Sequence, residues 1–177
     1  MKPYTRAQLA VHWLTAVLVV AAFWLGPGGS EQRVYSSAKD FDRQVHEVLG
    51  LSVLALTLVR LAAWRAASHG LPASAPAWMN VVSRAVQLLL YALLLAVPLT
   101  AIAGAWLEGH PLTLGILGNV PPPVAESHAL GASIATIHTY LGDTILWVAG
   151  LHAVAALFHH FVLRDEVLLA MLPRRRG

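Results

Sequence analysis

Four histidines are candidates for holding a metal cofactor because each lies inside a long apolar stretch of the chain. They are His12, His46, His138 and His152. An ionisable side chain at membrane depth is rare and usually faces the interior of a helix bundle. One imidazole from each of two facing helices can occupy both axial positions of a haem iron, which leaves no position for oxygen or a substrate. This pattern therefore predicts electron transfer.

Helix geometry groups the four histidines into two pairs. The 14-residue step from His138 to His152 turns an α-helix through about 1400°, within about 40° of whole turns, and rises about 21 Å. The two side chains therefore share one face at two depths. The segment of His12 enters from the side where His152 lies, and that of His46 from the side of His138. We predict two transverse pairs, His12 with His152 and His46 with His138.

His159 is a competing partner because it follows His152 by seven residues and lies within about 20° of the same face. Pairing His138 with His159 would separate the two levels by about 31 Å, the whole hydrocarbon thickness. We therefore expect His159 at the inner interface, touching a haem propionate or lying on a proton path. Ordinary surface histidines in loops are expected at His69, His110 and His128.

The elements that must position these histidines are predicted from composition. Apolar residues make up 57% of the 177 residues, charged residues only 12%, and the mean hydropathy is +0.62, which is too few charges for a water-facing surface. Four stretches approach the roughly 20 apolar residues that span a bilayer: 9–25, 46–64, 81–107 and 132–163. Continuous Leu, Ala and Val blocks exclude barrel strands. We expect an all-α membrane protein, one domain over 1–177 folded as a four-transmembrane-helix bundle enclosing two haems.

The distribution of Lys and Arg predicts the orientation, because cytoplasmic segments carry the excess. The N-terminus, the second loop and the C-terminus hold nine of these residues, the first loop holds three and the third loop none. Both termini are therefore expected in the cytoplasm. The first apolar stretch ends in Phe23, Trp24 and Leu25 rather than in a small-residue cleavage site, which favours a retained helix over a signal peptide.

Composition also excludes several classes of protein. The chain has no cysteine, which excludes disulfides, cysteine-ligated iron–sulfur clusters, thiolate zinc sites and covalent c-type haem. The sequence pI is near 9.7, but the basic residues lie at the ends of apolar blocks rather than in one stripe. Membrane lipid, and no nucleic acid, is therefore the expected partner.

Short motifs recur in order along the whole chain. They are Tyr4-x-Arg6 before His12-Trp13-Leu14, His46 with Gly50, Arg60-Leu61, Tyr91 with Pro98 and Gly104, Gly150-Leu151-His152, and His159-His160-Phe161 before Met171-Leu172-Pro173-Arg174. On these residues the sequence resembles the prokaryotic cytochrome b-561 family, the small di-haem membrane cytochromes that include superoxide oxidase. The resemblance implies two non-covalent b-type haems, with His12 and His152 on the cytoplasmic side and His46 and His138 on the periplasmic side.

The resemblance also implies an activity and a location. It implies an oxidoreductase of the bacterial inner membrane, in which superoxide gives electrons at the periplasmic side and ubiquinone accepts them. A positive field at the outer face would attract this anion, but the first loop offsets its three cations with three acids. The cations are Arg33, Lys39 and Arg43, and the acids are Glu31, Asp40 and Asp42. This balance weakens the superoxide assignment more than the haem assignment.

Polar residues beside the spans have predicted supporting roles. Arg60 closes the second span, where a guanidinium can pair with a haem propionate, and Arg6 has the same role or anchors the helix. Asp143 lies about 140° from His138 in projection and points away from the ligands. We interpret Asp143 as a contact within the bundle or between subunits in preference to a proton relay, which leaves a homodimer open. Pro98 is expected to kink the third helix.

Two other functions remain open at this point. A haem-bearing membrane anchor subunit would pass electrons between a soluble dehydrogenase or hydrogenase and the quinone pool. A stand-alone cytochrome is favoured because the chain has no long extension for docking. A histidine-based transporter needs several carboxylates along a hydrophilic path, and Asp143 is the only acid deep in a predicted span.

Overall fold

The computed structural model describes residues 4–64 and 76–172 and has four long helices. They are α1 (Arg6–Trp24), α3 (Asp40–Trp64), α4 (Ala77–Leu107) and α5 (His128–Phe158), with a short helix α2 (Glu31–Val34) between the first two. All four long helices are long and apolar enough to cross a membrane. The expectation of a mostly helical membrane protein with four spans is confirmed.

All four long helices begin earlier than the apolar stretches predicted. They begin at Arg6, Asp40, Ala77 and His128 rather than at residues 9, 46, 81 and 132. The second span was expected from residue 46, whereas α3 begins at Asp40. Charged pairs one turn apart extend this helix beyond its apolar part, because neighbours at i+3 and i+4 share a helix face. Arg43 bonds both Asp40 and Glu47, the latter at 2.6 Å. The helix of the fourth span likewise begins at His128 rather than at residue 132.

The third loop contains a small sheet that the all-α expectation missed. Strand β1 (Leu112–Thr113) pairs antiparallel with β2 (Asn119–Val120), with Leu112 opposite Val120. The part of this loop predicted as irregular, 118–123, therefore includes a strand. The predicted second loop, 70–76, lies outside the described residues apart from Pro76. The same is true of several basic or imidazole side chains used above: Lys2, Arg65, His69 and Arg174–Arg176.

The bundle is built from two closely packed helix pairs, α1 with α3 and α4 with α5. A small core joins them, formed by Val53, Leu93, Leu94 and Ile145. Most large apolar side chains face outward instead, with Trp24 85% and Trp147 77% exposed. An apolar exterior around a small core fits helices surrounded by lipid rather than by water.

The ends of α1 and α5 are fixed by local hydrogen bonds. Thr5 caps α1 in a capping box with Gln8, in which each side chain accepts a bond from the other's backbone N–H. The π-helical segment His159–Leu163 ends α5, and Arg164 then takes a left-handed conformation. The indole Nε1 of Trp13 donates to the carbonyl of Met171 at 2.8 Å, which holds the segment after α5 against α1.

Candidate functional site

Two of the predicted ligands face each other at one end of the bundle. The imidazoles of His46 on α3 and His138 on α5 have ring centres 6.0 Å apart and planes at 83°. Both side chains are half-buried. The structure therefore brings together the pair that helix depth predicted, from two helices that enter the membrane from the same end.

Backbone carbonyls fix the orientation of both rings. Nδ1 of His46 lies 2.7 Å from the carbonyl oxygen of Ala22 on α1. Nδ1 of His138 lies 2.9 Å from the carbonyl oxygen of Val97 on α4. A carbonyl only accepts, so each Nδ1 carries the hydrogen and each Nε2 keeps its lone pair. All four long helices thus contribute to one pair of imidazoles prepared to donate electron pairs.

Pro98 lies beside one of these carbonyls. The proline lacks an N–H and is buried inside α4, so the helix loses one backbone hydrogen bond at this level. The neighbouring Val97 carbonyl accepts from the Thr100 hydroxyl at 2.9 Å as well as from His138. At this level of α4, one backbone carbonyl is therefore shared between a hydroxyl of its own helix and an imidazole of α5.

The second predicted pair lies nearer the opposite end of the bundle. His12 on α1 and His152 on α5 are half-buried and close enough to interact electrostatically with each other and with Arg60. Within residues 4–64 and 76–172, no hydrogen bond to either imidazole is formed. This pair, expected at the cytoplasmic end and named the inner pair, thus lacks the hydrogen bonds that orient His46 and His138, which are named the outer pair.

Three further predicted site residues lie at this inner end. The guanidinium of Arg60 lies 5.4 Å from the centre of the Tyr91 ring, and Arg6 is exposed at the first position of α1. His159 is engaged through Nδ1 with Asp165 Oδ2 at 2.5 Å. An imidazole bound to a carboxylate at the helix end fits the expected place at the interface.

The chain also matches known proteins along nearly its whole length. Residues 3–174 match the model of the family described as prokaryotic cytochrome b561. This chain belongs to the prokaryotic cytochrome b561 family. The cytochrome is 28% identical to a protein named probable superoxide oxidase from Yersinia pestis, over 99% of both chains. It is 29% identical to cytochrome b561 homolog 1 of Escherichia coli, over 99% of this chain and 100% of that one. It is 33% identical to cytochrome b562 of Cereibacter sphaeroides, over 97% and 96%.

Membership makes the cytochrome a b-type haem protein of electron transfer, and the outer histidine pair fits that cofactor. A metal–imidazole bond is about 2 Å long, and the ring centre lies roughly 1 Å further out. Two imidazoles on one iron therefore have centres roughly 6 Å apart, which is the spacing of His46 and His138. The Nε2 atoms make no hydrogen bond within residues 4–64 and 76–172 and can supply the donors, so the residues present suit a haem iron with two histidine ligands.

Sequence reasoning missed a polar network that covers the outer end of the cytochrome. His110, expected as an ordinary surface histidine, stacks on Tyr35 with ring centres 3.4 Å apart and bonds Glu31 through Nε2 at 2.9 Å. Burial raises the pKa of the Tyr35 hydroxyl. The guanidinium of Arg43 lies 5.2 Å from the centre of the Tyr35 ring. The expectation for His110 was therefore wrong, because a loop histidine has no local pattern that reveals a stacking partner.

The network also joins helix α3 to the third loop. Glu47, one residue after His46, accepts the backbone N–H of Thr113 at 2.8 Å and pairs with Arg43 at 2.6 Å. The spacing of Arg43 and Glu47 at i and i+4 was the one signal in the sequence that indicated this contact. The hairpin of the third loop is thus tied to the helix that carries an outer histidine.

Two other expectations need correction. His128 was placed in a loop but is the first residue of α5, with a side chain 65% exposed. Asp143 was interpreted as a contact within the bundle or between subunits, but its side chain is exposed on α5. An outward position excludes a contact within the bundle, so only the contact between subunits remains a prediction.

Proposed function

We propose that the cytochrome binds two b-type haems and carries electrons across the bacterial inner membrane, from superoxide on the periplasmic side to ubiquinone. The observation that carries this proposal is the facing pair His46 and His138, with Nδ1 of each ring bonded to a carbonyl and Nε2 free. His12 and His152 form the inner pair. Haem bound at each pair supplies reversible one-electron transfer at iron.

The side chains divide this work between the two ends. The carbonyls of Ala22 and Val97 hold the outer imidazoles and make their Nε2 atoms stronger donors. Arg60 and Arg6 offer guanidinium groups to haem propionates at the inner end, and His159 lies at the same interface. Residues 1–177 act as one domain, with both termini in the cytoplasm as the excess of Lys and Arg favours.

Superoxide is favoured as the donor because a relative that matches over 99% of both chains is named a probable superoxide oxidase. The electrons balance without another oxidant or reductant, and two protons are taken from the aqueous phase. Two superoxide anions each lose one electron and leave as dioxygen, and ubiquinone takes up the two electrons and two protons to become the quinol. His46 and His138 would both bind the iron of an outer haem and would leave no position on it for a further ligand, so superoxide would give its electron at the edge of the site.

The test of this function is turnover by the purified single chain. Superoxide generated continuously in the presence of a soluble ubiquinone analogue is expected to yield quinol faster with the cytochrome than without it. His46→Ala is expected to abolish the gain, whereas His128→Ala, which removes an exposed imidazole at the same end, is expected to keep it. A chain that holds haem but needs a soluble partner for any turnover would favour the anchor subunit instead.

A contact between two copies is the proposed role of Asp143. A carboxylate on the outer face of a membrane-spanning helix costs several kcal/mol unless it is protonated or paired. A homodimer that covers α5 would remove Asp143 from lipid. Asp143→Leu is then expected to change the oligomeric mass measured in detergent, and an unchanged monomeric mass for both proteins would contradict the dimer.

A further inference from the structure

A buried glutamate residue lies outside the histidine pairs, and its side chain has no hydrogen bond from the described residues. Glu108 directly follows α4 and is only 8% exposed. One carboxylate oxygen of Glu108, one of Glu31 and one ring nitrogen of His110 all lie within 4.8 Å of one another. Two carboxylates this close repel each other when both are ionised. Burial and the charge of Glu31 together raise the pKa of Glu108.

Each of the three side chains is positioned by a separate part of the fold. Glu31 is the first residue of α2, and its carboxylate accepts from His110 at 2.9 Å. Stacking on Tyr35, with ring centres 3.4 Å apart, fixes the plane of the His110 ring. Glu108 lies against α5 where that helix has Gly131, since a Cβ at residue 131 would lie 2.6 Å from Glu108 Cγ. The three donors therefore come from different segments that meet at this end of the bundle, and not from neighbouring positions on one surface helix.

We propose that Glu31, Glu108 and His110 bind one divalent transition-metal cation of the Zn²⁺ class, at the end of the bundle that carries His46 and His138. One imidazole nitrogen with two carboxylate oxygens is a donor set that zinc accepts, at bonds of about 2.0–2.2 Å. Calcium and magnesium prefer sites built from oxygen alone. A tetrahedral ion places its donor atoms roughly 3–4 Å apart, so the three groups need to close only slightly.

A bound cation would offset the repulsion between the carboxylates of Glu31 and Glu108, which lie close together. It takes the place of the hydrogen between His110 Nε2 and Glu31, while the neutral imidazole keeps its hydrogen on Nδ1. It binds the Glu108 carboxylate in its ionised form, so a proton held by that carboxyl is released. The fourth position is open to water. His128 lies at the rim, with Nδ1 4.0 Å from Glu31, and is too exposed to be counted among the fixed donors.

The test is zinc binding by the haem-loaded chain after treatment with a chelator and removal of the chelator. We expect one zinc per chain by elemental analysis, and an affinity at least ten-fold weaker in Glu108→Gln and His110→Ala by calorimetry against a competing chelator. Glu126→Gln is the matched control, because Glu126 is a nearby carboxylate with a 64% exposed side chain. It is expected to bind like the unaltered chain.

Two outcomes overturn the site. One is a stoichiometry well below one zinc per chain, and the other is equal binding by the Glu108→Gln and Glu126→Gln proteins, which would mean adsorption to surface groups. The haem spectrum of each variant reports whether it has folded. A zinc-dependent rise in the midpoint of thermal unfolding, present in the unaltered chain and absent in Glu108→Gln, gives a second readout that needs no activity.

Discussion

His46 and His138 face each other with ring centres 6.0 Å apart and planes nearly perpendicular, and each Nδ1 donates to a carbonyl of a helix other than its own. The inner pair of His12 and His152 has no comparable support from the described residues. Preorganised imidazoles lose less conformational freedom when they bind a metal. We therefore expect the outer haem to be retained more firmly than the inner one when detergent or denaturant loosens the bundle.

The charge at the outer end predicts how the reaction with superoxide responds to salt. Lys39 is paired with Asp42 at 2.7 Å, and Arg43 is paired with Asp40 and Glu47. Paired cations attract an anion only weakly, so the rate is expected to change little with ionic strength. Asp42→Asn frees Lys39 and is expected to raise the rate at low salt by about two-fold, measured as quinol formed per unit time.

The control for Asp42→Asn is a substitution of Glu166, which follows α5. Glu166→Gln removes one negative charge from an exposed side chain after α5 and should leave both the rate and its salt dependence unaltered. A steep loss of rate with salt in the unaltered chain would contradict the neutral outer face. Equal effects of the two variants would mean that overall charge, and not the field at the outer face, controls the rate.

Arg60 is expected to set the potential of the inner haem. Its guanidinium interacts with both His12 and His152, and a nearby positive charge favours the reduced, less positive iron. Arg60→Ala is expected to lower the inner midpoint potential by the equivalent of about 1 kcal/mol, the size of a partly hydrated charge interaction. Redox titration of the visible spectrum measures both potentials.

Arg84 supplies the comparison for Arg60. It is exposed in the first part of α4, and Arg84→Ala should leave both midpoint potentials unchanged. If Arg60→Ala shifts only the midpoint potential of the outer haem, Arg60 acts on that haem and the prediction for the inner haem is wrong. No shift at all would remove Arg60 from the site.

Two glycines of α5 are expected to respond to alanine in opposite ways. A Cβ at Gly131 would lie 2.6 Å from Glu108 Cγ and 3.2 Å from the Gly104 carbonyl oxygen, whereas a Cβ at Gly142 meets nothing within 4 Å. Gly131→Ala should therefore destabilise the cytochrome by about 1–3 kcal/mol. Gly142→Ala should be neutral or stabilise it by up to about 1 kcal/mol. Thermal unfolding in detergent compares the two, and equal midpoints would contradict the close approach of α4 and α5.

The raised pKa of Glu108 predicts a dependence of stability on pH. The folded chain holds a proton on this carboxyl at a pH where the unfolded chain, with the ordinary value of 4.5, has released it. Stability therefore falls as the pH rises from about 4.5 to the raised pKa, because the unfolded state binds fewer protons there. With a chelator present, Glu108→Gln is expected to lose this part of the pH dependence of thermal unfolding. An identical profile for both proteins would mean that Glu108 titrates normally.

Sequence alone was sufficient for the spans and for the depth of the histidines. Apolar runs and a step of whole helical turns are local properties, so the pairing of His46 with His138 followed from helix geometry before any contact was known. The start of α3 did not follow, because the charges from Asp40 to Glu47 resemble a loop in composition although they pair one turn apart.

The groups that support the site could not have been found in this way. The Ala22 and Val97 carbonyls are backbone atoms, and their residue types carry no signal for an imidazole partner. The contacts of His110 with Tyr35 and Glu31 join parts of the chain that are far apart in sequence. Such contacts depend on how the loops fold over the bundle end, which neither hydropathy nor spacing encodes.

The most direct measurement is the number of haems bound by the purified single chain and by variants that each lack one imidazole. We expect two haems per chain, one haem in His46→Ala, one in His12→Ala, and two in His128→Ala. The reduced-minus-oxidised spectra of the two single-haem variants should differ and should add up to that of the unaltered chain. Fewer than two haems in the unaltered chain, or two haems retained without His46 or without His12, would contradict the account.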